Sequence, residues 1–107
     1  MKIQKFLIIS LSVLTINIQV SLADDAKMAK GLEIFNETAG CAACHALKVA
    51  GSEANIGPNL DTLSLTEELV KEIVTHGRGV MPAYGEGMLT KEEIDIVSYY
   101  VANSAGK

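Results

Sequence analysis

Cys41-Ala42-Ala43-Cys44-His45 is the run of this 107-residue sequence best equipped for chemistry. A C-x-x-C-H run is the attachment signature of c-type haem: two thiols add across the haem vinyl groups, and the adjoining imidazole binds iron. Two residues between the cysteines set the sulfurs far enough apart to reach both vinyls, and a helical turn then aims His45 at the metal. No other cysteine competes, because Cys41 and Cys44 are the only two. A zinc site would need His45 and His76 as well, and their placement lacks zinc-finger spacing. A thioredoxin-like dithiol needs a βαβ context that the sequence does not offer.

Haem iron needs a second ligand on its far side. Met81-Pro82-Ala83-Tyr84 follows Gly77-Arg78-Gly79 in a loop between two helical stretches, where a thioether can reach iron from the side opposite His45 and Pro82 stiffens the loop. The alternatives are Met28, Met88 and His76. Met28 lies on the apolar stripe of the first helix and is most simply a core residue. Met88 stands beside Leu89 at the entrance to the last helix, where packing accounts for it. His76 ends a helix, where an imidazole compensates the dipole or is solvated.

The elements that position these residues begin with an export segment. Met1-Lys2-Ile3-Gln4-Lys5 is a short positive start, Phe6 to Ile18 is largely apolar, and Ser21-Leu22-Ala23 offers small residues ahead of Asp24-Asp25. That is the order of a secretory signal peptide, with cleavage after Ala23 and residues 24–107 as the single domain that remains. An uncleaved anchor is the competing reading, but residues 6–18 fall short of the ~20 that span a bilayer. Export suits the cysteines, since bacteria attach c-type haem outside the cytoplasm. The whole chain carries a net charge of −4, and losing Lys2 and Lys5 makes it more acidic still. Such a balance argues against nucleic acid and favours partners with a positive docking patch. No segment after residue 23 reads as membrane-inserted.

The domain reads as helices joined by glycine-rich loops, without strand alternation. A first helix is expected from Asp25 to about Thr38, with Met28, Leu32 and Phe35 at i, i+4 and i+7. Residues 46–60 read as mostly loop, marked by Gly51-Ser52, Asn55 and Gly57-Pro58-Asn59. A second helix is expected from about Leu65 to His76. Ser64 or Thr66 could cap it, Ser64 pairing with Glu67 in a capping-box pattern, and Gly77 stops it. The third begins at Thr90, whose box closes with Glu93, and Ile94, Val97, Tyr100 and Val101 form its apolar stripe. So small a domain has a marginal core that a large apolar cofactor would complete.

Across residues 25–105 the chain resembles the class I c-type cytochromes, in particular the small bacterial and cytochrome c6-like single-haem carriers. The resemblance is carried, in the family's order, by Gly31-x-x-x-Phe35, the Cys41–His45 run, Gly57-Pro58-Asn59-Leu60, Gly77-x-Gly79-x-Met81-Pro82-Ala83-Tyr84 and Val97-x-x-Tyr100-Val101. It implies an all-α, small cytochrome c fold, with three main helices and loops wrapped around one covalently bound haem. It selects Met81 as the axial ligand opposite His45, and implies that Gly31 lets the first and last helices cross closely beside Phe35, Val97 and Tyr100. Pro58 would then offer its carbonyl to the far N–H of His45. Arg78 would neutralise a haem propionate or remain a solvated surface residue, and Tyr84 would pack near the haem. With both iron faces filled, the resemblance implies a periplasmic one-electron carrier between redox proteins and not an enzyme. The other readings are a dedicated haem subunit of a periplasmic dehydrogenase, for instance one oxidising sulfite or an alcohol, and a haem enzyme or sensor in which Met81 is displaced.

Overall fold

The structure is a computed structural model that describes residues 14–107, with side chains from residue 22 onward. The charged start and most of the apolar stretch of the expected signal peptide lie outside the described residues. Helix α1 spans Leu14–Glu33 and continues into a π-helical turn over Ile34–Thr38. The expected helix over 25–38 is therefore present but changes pitch at its end. Ala39 N–H reaches back five residues to the Ile34 carbonyl at 2.8 Å, the bonding pattern of a π-turn. Within this turn both Ile34 and Phe35 are fully buried.

The stretch after the motif departs from the all-loop expectation. His45–Leu47 forms strand β1 and Ser52–Asn55 forms strand β2, an antiparallel pair with register Leu47↔Ser52, Ala46↔Glu53 and His45↔Asn55. The pairing is irregular between His45 and Ala46. Strands of three and four residues with one bulge leave no readable alternation, and only Leu47 in β1 is a buried apolar side chain. The class is thus mainly helical with a small sheet, a correction to the purely helical expectation.

Helix α2 spans Glu67–His76. Its N-cap is Thr66, whose hydroxyl accepts from Leu69 N–H at 3.1 Å, so the helix begins after Thr66 and the Ser64–Glu67 box does not form. Val70 and Val74 are buried, whereas Leu69 remains 40% exposed. Helix α3 spans Lys91–Ser104 behind a complete capping box: Glu93 N–H donates to Thr90 Oγ1 at 3.1 Å, and Thr90 N–H to Glu93 Oε1 at 3.0 Å. The expected stripe of Ile94, Val97, Tyr100 and Val101 is buried in full.

These helices meet in one core with Ile34, Phe35, Leu47, Tyr84 and Leu89. The Phe35 and Tyr100 rings lie 6.1 Å apart and tilted, the aromatic contact at the α1–α3 crossing. Burying a side chain of this size contributes about 1.5–3 kcal/mol, so the crossing anchors the fold. An exposed Lys71–Asp95 ion pair joins α2 to α3 and contributes at most about 1 kcal/mol. No helix among the described residues is long and apolar enough to cross a membrane.

Candidate functional site

The motif follows directly on the π-turn. Gly40 takes a left-handed conformation and Cys41–Ala43 then form a single 3₁₀ turn. Cys41 and Cys44 are both free thiols and partly buried, as they must be to remain available for thioether formation. Burial pushes the Cys41 thiol up to about 11, and the neighbouring Cys44 adds to the rise. Cys41 also packs against the central core.

His45 opens β1 immediately after the turn. Its Nδ1 lies 2.8 Å from the Pro58 carbonyl oxygen. A carbonyl only accepts, so Nδ1 carries the proton and donates, leaving the lone pair of the neutral ring on Nε2. That is the orientation of a metal-binding imidazole held by a backbone carbonyl. The loop closes around the ring in a second place. A β-carbon on Gly57 would fall 2.7 Å from His45 Cε1 and 2.9 Å from Nδ1, so only a residue without a side chain lets the loop lie on the imidazole. Gly57 N–H also donates to the Cys44 carbonyl at 2.7 Å.

The Met81 loop is built as tightly. Arg78 and Met81 exchange backbone hydrogen bonds at 3.1 and 3.0 Å across Gly79-Val80. Gly77 ends α2 with φ +74°, and a β-carbon there would meet the Met81 carbonyl at 2.7 Å. A left-handed backbone in that little space requires glycine. Met81 itself is partly buried and packs against the core. Tyr84 ties this loop to the motif, its hydroxyl donating to the Ala39 carbonyl at 3.1 Å across 45 sequence positions.

Among the expected site residues, the structure therefore joins His45 to Pro58, and fastens the segment carrying Met81 to the one carrying Cys41 through Tyr84. Arg78 is brought to nothing: its side chain is exposed and only its backbone takes part in the turn. Among the alternative ligands, Met28 packs against the core as expected. Met88 does not pack: it is 56% exposed, while Leu89 beside it is buried. His76 is exposed at the end of α2, 3.8 Å from Glu72. No group of three or more His, Cys, Asp or Glu suited to a metal ion occurs among the described residues. Two residues escaped the sequence reading. Gly57 appears there as a turn former and as part of the family pattern, without its contact to His45, and Ser52, whose hydroxyl reaches the motif, only as a loop marker.

The donor set of two thiols, one imidazole with Nε2 available and one thioether fits haem c. The segment between His45 and Met81 also exposes large apolar side chains, among them Ile56, Leu63 and Leu69 at 74%, 43% and 40%. A bound macrocycle has an apolar surface of the kind these side chains lack.

Residues 26–101 match the family described as cytochrome C oxidase, cbb3-type, subunit III. A cytochrome c6 from Leptolyngbya boryana is 38% identical over 88 residues, which cover 77% of this chain and 98% of that protein. A cytochrome c6 from Picosynechococcus sp. is 35% identical over 114 aligned positions, gaps included, covering 95% of each chain. Among solved structures, the c-type cytochrome SorU from Sinorhizobium meliloti superposes with a TM-score of 0.72 at 46% identity, covering 78% of this chain and 95% of that one.

Proposed function

This chain belongs to the small class I c-type cytochromes, a cytochrome c6-like electron carrier with one covalently bound haem c, and from that premise we propose how its own residues serve the cofactor. Cys41 and Cys44 would form the two thioether bridges, and His45 through Nε2 and Met81 through its thioether sulfur would hold the iron. Pro58 holds the His45 ring, Tyr84 fastens the Met81 loop to the motif, and the exposed Arg78 side chain would be in reach of solvent or of a haem propionate. The hydrogen bond between His45 Nδ1 and the Pro58 carbonyl carries this reading, because it leaves Nε2 as the only ring atom free to bind a metal.

When bound, haem c supplies a one-electron ferric/ferrous couple, whose potential a Met thioether ligand raises. His45 and Met81 would both hold the iron, and the protein's part would be to keep the same ligands in both oxidation states. Residues 1–23 are a leader removed after Ala23, the carrier works in the periplasm, and it passes electrons between larger redox proteins. The acidic charge balance suits partners that present a positive docking surface.

Production in a host with a haem-maturation system tests this. Denatured protein should retain one haem that acid-acetone does not extract, and intact mass should equal residues 24–107 plus one haem. Reduced protein should take up carbon monoxide poorly. Ready carbon monoxide binding would favour an enzyme or sensor with displaceable Met81, and a haem-free or zinc-loaded product would sink the reading.

A further inference from the structure

Ser52 is buried at 9% exposure, on β2. Its Oγ lies 2.9 Å from the Ala42 carbonyl and 2.5 Å from the His45 carbonyl. A serine hydroxyl has one proton, so the two carbonyls share it: one lies inside the Cys-x-x-Cys turn, the other belongs to the residue that bears the imidazole. The same segment supplies Gly57 N–H to the Cys44 carbonyl and the Pro58 carbonyl to His45 Nδ1. Every one of these bonds runs between residues 52–58 and residues 42–45. The irregular pairing between His45 and Ala46 falls where the Ser52 hydroxyl, opposite Leu47 in register, reaches back along β1.

We propose that Ser52 is a positioning residue for the iron-binding imidazole. Its hydroxyl locks the His45 backbone to the Cys-x-x-Cys turn and so fixes the angle at which Nδ1–H meets the Pro58 carbonyl. This rests on the reading of His45 as an iron ligand. A firm bond at Nδ1 raises the basicity of the ring, and a more basic ligand stabilises ferric iron. Loss of the Ser52 hydroxyl loosens that bond and raises the reduction potential.

The experiment compares holoprotein of the wild type with Ser52→Ala, Ser52→Val, Ser52→Thr and Glu53→Ala, the last an exposed neighbour on the same strand. Two quantities are read: solvent exchange of the His45 Nδ1 proton by NMR, and the reduction potential. Ser52→Ala and Ser52→Val should exchange that proton about tenfold faster, the scale of one lost hydrogen bond, and both should have a raised potential. Ser52→Thr, which keeps the hydroxyl in the shape of valine, should restore both quantities, and Glu53→Ala should change neither. Variants that lose stability to denaturant yet keep wild-type exchange and potential would show a structural role only and overturn the proposal, as would a lowered potential. The wild type supplies a measurement independent of any variant's folding. Its Ser52 hydroxyl proton should exchange slowly enough to be seen, and exchange at the rate of a free serine would also overturn the proposal. A wild-type protein without covalent haem would instead defeat the ligand reading, a result visible before any variant is compared.

Discussion

Gly31 on α1 and Tyr100 on α3 are so close that a β-carbon at position 31 would lie 2.3 Å from Tyr100 Cβ. Mid-helix glycine ordinarily costs about 0.5–1 kcal/mol relative to alanine, so its presence here runs against local propensity. The approach explains it: the two helices cross backbone against side chain, with Phe35 beside Tyr100. Gly31→Ala should therefore destabilise the holoprotein by about 1–3 kcal/mol, the scale of overpacking in a close-packed core. Denaturant unfolding followed by circular dichroism measures it, and a stabilised variant would mean that the crossing is looser than described.

Acid sensitivity should trace in part to Asp61. One carboxylate oxygen accepts from Gly106 N–H and the other from Lys48 N–H, each at 2.8 Å. These two bonds hold its carboxyl below the ordinary 3.8. A carboxyl lowered in the folded state stabilises above its unfolded pKa, and that contribution disappears as pH falls through the folded value. Asp61→Asn should thus lose less melting temperature than the wild type between neutral pH and strong acid, while being less stable at neutral pH. Parallel pH profiles of the two proteins would show that Asp61 does not anchor the C-terminus to the turn after β1.

The two loop methionines separate by environment. Met81 is partly buried in a turn closed by paired backbone bonds, whereas Met88 is 56% exposed. Met81→Ala should open an iron position, permit carbon monoxide binding and lower the reduction potential, since thioether ligation raises it. Met88→Ala should leave the spectrum, the potential and carbon monoxide uptake at wild-type values. Equal effects of the two substitutions would contradict Met81 as the ligand.

Much of this arrangement is legible in the sequence because it is local. The Cys-x-x-Cys-His spacing, the Thr90–Glu93 box and the α3 stripe each lie within a few residues, where spacing and periodicity act directly. What escapes the sequence depends on contacts between segments. Ser64 and Thr66 are equally good caps on paper, and the helix takes Thr66, whose hydroxyl reaches Leu69 N–H. The β1–β2 pair is too short and bulged to alternate, and its role is to carry Ser52 and the Gly57-Pro58 turn onto the motif. Met88 looks like a packing residue beside Leu89, yet the chain turns Leu89 inward and leaves Met88 in water. Serine and glycine signal loops in any sequence, so their contact with His45 is visible only once the loop has folded back.

Haem should also be part of what makes this fold stable. The apolar core consists of narrow stripes from three helices, helped by Leu47, Tyr84 and Leu89, and a single core in a domain this small leaves a narrow margin of stability. Its cysteines form no disulfide, while Ile56, Leu63 and Leu69 expose apolar surface between the two proposed iron ligands. Covalently held haem would cover such surface, and ligation by His45 and Met81 would cross-link the hairpin to the loop after α2. Replacing both Cys41 and Cys44 with alanine should consequently give a largely unfolded, protease-sensitive chain with weak helical circular dichroism. Orphaned contacts such as the Tyr84–Ala39 bond, at about 0.5–1.5 kcal/mol each, are too weak to hold the Met81 loop against the motif alone. A haem-free variant that melts cooperatively near the temperature of the holoprotein would show that the helices pack without the cofactor, and that haem is added to a finished fold.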